Sequence, residues 1–140
     1  MAAGALEKVR NKVGKAKAYR LAVFRESVQR LAEIAQTPVG QGGNMPVRTG
    51  FLRASFIARL GLSVPTKTVR PKGGAQYAYS SGPIALVIAQ ASIDSVVTLA
   101  WTASYARSIE HRRAFARLAA QQWRSIVRET EVKAKARAGK

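Results

Sequence analysis

Gly82-Pro-Ile-Ala-Leu-Val-Ile-Ala-Gln-Ala-Ser-Ile-Asp-Ser-Val-Val-Thr-Leu-Ala-Trp101 opens on a Gly-Pro boundary and runs through most of the longest weakly polar stretch, Ile84 to Ala103. Gln90, Ser92, Asp94, Ser95 and Thr98 interrupt it and Gly82-Pro83 bounds it, so it does not read as a bilayer helix. Branched and aromatic residues fill 85–90 and 95–101, and the four residues between them, Asp94 included, suit a turn. The pattern predicts two antiparallel strands. Upstream, Phe56, Ala58 and Leu60 alternate with Ile57 and Arg59, the period of a further strand. Between them, Pro65, Pro71, Gly73-Gly74 and Gly82-Pro83 punctuate a loop or loose hairpin.

Helical periods flank this central region. Leu21, Phe24, Val28, Leu31 and Ala35 recur at steps of three and four, with Arg20, Arg25, Arg30 and Glu33 between them, which places the apolar side chains on one helix stripe. Leu6, Val9 and Val13 keep that period with a poorer apolar face and Gly14 inside it, a segment expected to become helical when a partner covers it. Thr37-Pro38 and Gly40-Gln-Gly-Gly-Asn44 end the helix in a flexible loop. Thr49 is positioned to cap a short turn containing Leu52 and Arg53. Beyond Tyr105 a second helix buries Phe115, Leu118, Ala119, Trp123, Ile126 and Val127. The order gives a single α+β domain over 1–140: helix 1–36, loop 37–55, strands and hairpin loops 56–103, helix 105–130, and a frayed basic tail 131–140. Two helices pack on a small antiparallel sheet.

Charge is the strongest bulk property. The 24 Lys and Arg against 7 Asp and Glu leave a formal +17 in 140 residues. Eight basic and three acidic residues lie up to Gln36, six and one from Thr37 to Ser104, and ten and three from Tyr105 onward, so the helical ends hold most of the excess. Such ends are either solvated helix faces or docking surfaces for polyanions, whether nucleic acid, an acidic protein ring or a membrane face. The first residues, Met-Ala-Ala-Gly-Ala-Leu-Glu-Lys, lack the charged start and apolar run of a secretory signal. There is no cysteine, which suits a reducing compartment and removes thiolate chemistry.

The inventory for catalysis is thin. His111 is the single histidine, and Asp94 is the only acid between Glu33 and Glu110. No catalytic, cofactor or metal site is expected from these residues. Glu110 and His111 are adjacent on a helix and point about 100° apart, so they read as a polar rim near Tyr105 and not as an acid-base dyad. Gly73-Gly74 lacks the Lys-Ser or Lys-Thr of a phosphate loop and reads as a turn.

Three segments occur in order: Pro-x-x-Thr-Gly-x-Leu-Arg-x-Ser at Pro46, Thr49, Gly50, Leu52, Arg53 and Ser55; Tyr-Ala-x-x-Ile-Glu-His at Tyr105, Ala106, Ile109, Glu110 and His111; and Phe-x-Arg-Leu-Ala-x-x-x-Trp at Phe115, Arg117, Leu118, Ala119 and Trp123. Together they resemble the tail-completion, or head-tail joining, protein family of long-tailed bacteriophages, from about Pro46 to Val127. The resemblance implies a virion component of the neck, assembled in the host cytoplasm as a homo-oligomeric ring of six. Its partners would be the head connector with its adaptor or stopper and the tail tube, with DNA passing through the lumen without specific binding and no membrane involved. Interface candidates under this reading are Thr49, Gly50, Leu52, Arg53, Tyr105, Glu110, His111 and Arg117. Gly50 suits a positive φ, and Arg53 either meets an acidic group on a neighbour or is an ordinary surface arginine. Tyr105 and Glu110 either face a neighbour or fix the second helix within one subunit. The competing reading is a basic nucleic-acid-binding protein without catalytic activity, its helices tracking phosphates near Tyr19, Phe24 and Trp123. Phe24 and Trp123 fall on the apolar stripes, which favours a core role for both.

Overall fold

The computed structural model describes residues 2–63, 65–69 and 75–138. The turn expected at Gly73-Gly74 lies outside the described residues, as do Pro71 and the final Gly139-Lys140. The architecture is α+β: a long N-terminal helix and C-terminal helices against a two-stranded antiparallel sheet. Helix α1 (Ala2–Gln36) is unbroken over 35 residues, a rod of about 52 Å. It includes the weakly apolar first half, which is helical here with no covering partner. Helix α2 (Phe51–Ala54) leads into strand β1 (Phe56–Leu60), and α3 (Gly82–Ala89) precedes strand β2 (Val97–Trp101). Helices α4 (Ala106–Arg113), α5 (Phe115–Ala120) and α6 (Trp123–Ala138) complete the chain.

The stretch 85–90 is the main departure from the sequence reading. It is helix α3, not a strand, and no hairpin joins it to 95–101. Pro83 sits in the first helical turn, where its missing N–H costs nothing. Ile84 and Ile88, four residues apart, are both buried while Leu86 points outward, a period that an all-apolar run hides. Strand β2 instead pairs with β1, Phe56 opposite Trp101, Ala58 opposite Leu99 and Leu60 opposite Val97. Phe56 and Ala58 face inward as the alternation requires, but Leu60 at the strand end is 41% exposed.

Two clusters form the interior. In the first, Val28 and Ala32 of α1 pack with Phe56 and Ala58 of β1 and Ile84 and Ile88 of α3, with Phe24, Leu99 and Trp123 partly buried against them. In the second, Met45, Leu52, Ala103, Ala106 and Phe115 gather at the other end of the sheet. Trp101 joins the two clusters. Its ring stacks on Phe56 with centroids 4.7 Å apart and meets Phe115 edge-on at 4.8 Å, contacts that add to simple area burial.

The C-terminal region also differs from expectation. A single helix over 105–130 is replaced by three, because Ala114 adopts φ 53 and ends α4 while starting α5. Gln121-Gln122 then loosen the helix before α6. The tail is not frayed through 131–138: α6 continues to Ala138, Ala134 is buried, and Arg137 pairs with Glu26 of α1 at 2.6 Å. The segment does have something to bury, since α6 crosses the middle of α1 where Ser27, fully buried, presents a side chain small enough for close approach. Among the described residues no helix is long and apolar enough to cross a membrane.

Candidate interface site

Two of the segments singled out in the sequence meet. Pro46, Arg48, Thr49, Gly50, Phe51 and Leu52 form one wall of a cleft of about 240 Å³, and Tyr105 and Ile109 form the other. The path between Gln36 and Gly50 explains how the first wall is held. The expected flexible loop is a closed turn: Val39 N–H donates to Met45 O at 3.0 Å and Met45 N–H to Thr37 O at 3.1 Å, with Met45 itself fully buried. The chain emerges from this anchor at Pro46 already aimed at the sheet.

Gly50 is the conformational hinge of the wall. It has φ 83, and a Cβ there would run into the carbonyl oxygen of Tyr77. Both facts demand glycine. Gly50, not Thr49, occupies the position before α2, and the Thr49 hydroxyl accepts a long hydrogen bond from the Phe51 N–H at 3.4 Å. The backbone of Thr49 does more: its carbonyl accepts from Tyr77 N–H at 2.8 Å. Tyr77 then lays its ring edge-on to Phe51 at 5.1 Å, and Phe51 lies 6.2 Å from Tyr105. An aromatic row thus runs along the cleft. Tyr77 escaped the sequence reading because nothing local ties it to Thr49; alternation in Gln76-Tyr-Ala-Tyr-Ser80 was the available signal.

Arg53 has partners within its own chain. Its Nε donates to Gln36 O at 2.9 Å, at the carbonyl end of α1, while Gln36 Nε2 donates back to Arg53 O at 2.8 Å. A cation at a helix C-terminus is favourably placed. The guanidinium carbon also lies 4.9 Å from the Tyr79 ring centroid. Gln36, buried, accepts from Trp101 Nε1 at 2.8 Å. One exchange of hydrogen bonds therefore fastens α1, α2 and β2. Burial raises the Tyr79 phenol above its ordinary value, opposed by its hydrogen bond with Gln36 and the charge of Arg53.

Glu110 likewise acts within the chain. Its carboxylate accepts from Ala116 N–H at 2.9 Å and Arg117 N–H at 3.0 Å, the free donors at the start of α5. This contact steadies the left-handed Ala114 between α4 and α5. Leu52 is buried in the second cluster, Arg117 is exposed, and Tyr105 stands at the junction of the cleft and a shallower groove. That groove is basic: Lys67, Arg107, His111 and Arg112 line it with Ser104 and Ser108. His111 is exposed there. The candidates accordingly divide. Thr49, Gly50, Leu52 and Tyr105 surround the cleft, His111 faces the basic groove, and Arg53 and Glu110 brace the walls. Among the described residues, no three His, Asp or Glu side chains converge as a metal site would require.

Comparisons with family models, with curated proteins and with solved structures found no match for this chain.

Proposed function

We propose that this chain is a structural subunit of a bacteriophage neck, forming a ring that completes the tail and joins it to the head connector. The observation that carries this reading is the convergence of Thr49-Gly50-Phe51-Leu52 with Tyr105 and Ile109 around one cleft, although more than fifty residues separate them. These segments carry the resemblance to tail-completion proteins. A cleft with an aromatic row and a rigid glycine corner suits insertion of a side chain or loop from a neighbouring copy, because little conformational entropy is lost when the walls are already fixed. The +17 charge supports docking on acidic faces of adjoining layers, where opposite potentials select partner and orientation.

The test is assembly. Native mass spectrometry or light scattering of the purified chain should give a ring with weak DNA affinity at physiological salt. Virions assembled without the protein should leave heads and finished tails unjoined; tails of uncontrolled length would assign it to tail termination instead. The basic groove beside α4 favours the second reading, a nucleic-acid-binding protein, in which a monomer or dimer would hold DNA tightly with an affinity falling steeply as salt rises. A solitary chain with that behaviour would end the neck reading.

A further inference from the structure

Nearer its N-terminus than the face that α6 covers, α1 carries a second, short apolar stripe. Val23 and Ser27 are buried on that face, beside Trp123, Val127 and Glu131 of α6. Past the exposed Arg20, which interrupts the stripe, Ala16, Val13, Val9 and Leu6 recur toward the N-terminus at steps of three and four, the four positions falling within about 80° of the helix circumference. Here it is bare: Leu6 is 52% exposed, Val9 57% and Val13 47%. The stripe is narrow, with spacing of a heptad seam and small or branched side chains, and its shape fits another helix better than the broad apolar face of a membrane-surface helix.

The flanks specify which helix. Arg10 and Lys17 border the seam on one side and Lys12 on the other, while Glu7, the one acid from Gly4 to Ala18, lies on the far side. Two copies of this arm would bring these cations together in either orientation, and like charges at flanking positions disfavour pairing. The chain has only 7 acidic residues against 24 basic ones, and no helix among the described residues has an apolar seam with acidic flanks. We infer that residues 6–17 of α1 form a docking arm for an amphipathic α-helix of a different protein, one with an apolar seam and acidic flanks. This inference stands apart from the ring, since the arm and the cleft share no residue.

The experiment uses the full chain and a labelled synthetic helix peptide of three heptads, Leu and Val on its seam and Glu on its flanks, followed by fluorescence anisotropy at physiological salt. Binding is expected, and a matched peptide with Lys flanks should bind at least about tenfold more weakly, a discrimination of about 1.4 kcal/mol. The Val9→Asp/Val13→Asp chain should lose at least about tenfold in affinity with unchanged melting temperature, because both side chains are half exposed and leave the interior intact. Charge reversal by Arg10→Glu, Lys12→Glu and Lys17→Glu together should switch preference to the Lys-flanked peptide. Equal binding of both peptides, or no switch, overturns the inference. So does displacement of the acidic peptide by phosphatidylglycerol vesicles or duplex DNA in preference to unlabelled peptide, or a concentration-dependent dimer that Val9→Asp/Val13→Asp abolishes.

Discussion

The two halves of α1 share a helical period and differ in what surrounds them. From Val23 to Gln36 the helix buries Val23, Ser27, Val28, Ala32, Ala35 and Gln36 against β1, α3, α5 and α6. From Gly4 to Ala18 every side chain is exposed. Repetition of apolar residues therefore does not distinguish an anchor from an arm; the width of the apolar face does. Around Val28 the stripe is broadened by neighbours at adjacent positions on the wheel, Phe24, Leu31 and Ala32, and it can seat both a sheet and helices. Around Val9 it is one residue wide between cations. Helical stability in the first case comes from packing, and in the second from propensity and the continuing rod.

The sharpest way to break this contrast is truncation in the interior. Phe115 is 2% exposed and closes the second cluster against Trp101, so Phe115→Ala should cost about 3–5 kcal/mol, read as a lower urea midpoint. Val9→Ala in the arm should stay within about 0.5 kcal/mol of the unaltered chain. Similar losses at both positions would show that the arm is packed in solution and that the contrast is wrong.

The same distinction explains what was legible in the sequence. The helical half from Leu21 to Ala35, the β1 alternation at Phe56 and Ala58, and the turn at Leu52-Arg53 each bury one face and leave the other in water, so each displays a period. Segment 84–89 has apolar residues on every side. Leu86 is exposed and Ile88 buried, yet both are branched aliphatics, and only Pro83 hinted at a helix start. The break at Ala114 left no glycine or proline as a marker. It is held by Glu110 reaching to the N–H groups of Ala116 and Arg117, a contact that helix spacing alone does not announce. The cleft was half legible: its two motifs stood out as residue strings, but Tyr77, brought in by a backbone hydrogen bond from a distant loop, did not.

Gly50 and Glu110 test whether the walls of the cleft resemble the interior or the arm. Gly50→Ala combines a positive φ with a collision against Tyr77 O, and should cost about 1–3 kcal/mol while disturbing the aromatic row, visible as altered near-ultraviolet circular dichroism. Glu110→Ala removes the acceptor for two N–H groups and should cost about 0.5–2 kcal/mol in thermal unfolding. Glu110→Gln retains an acceptor oxygen and should lose less. If neither change registers, the cleft is soft and belongs with the arm.

Gly14 offers the most local expected effect and the finest probe of the arm. A Cβ added there meets nothing within 4 Å, and the residue is at a helical position on an exposed turn. Gly14→Ala should therefore favour the local helix by about 1 kcal/mol without touching the interior. Amide hydrogen exchange should slow between residues 8 and 18 while protection in β1 and β2 stays unchanged. Slowing that spreads to the strands would mean that arm and body open as one cooperative unit, and the division of α1 into two regimes would have to be abandoned. Confined slowing would mean that the arm opens separately while the body stays folded.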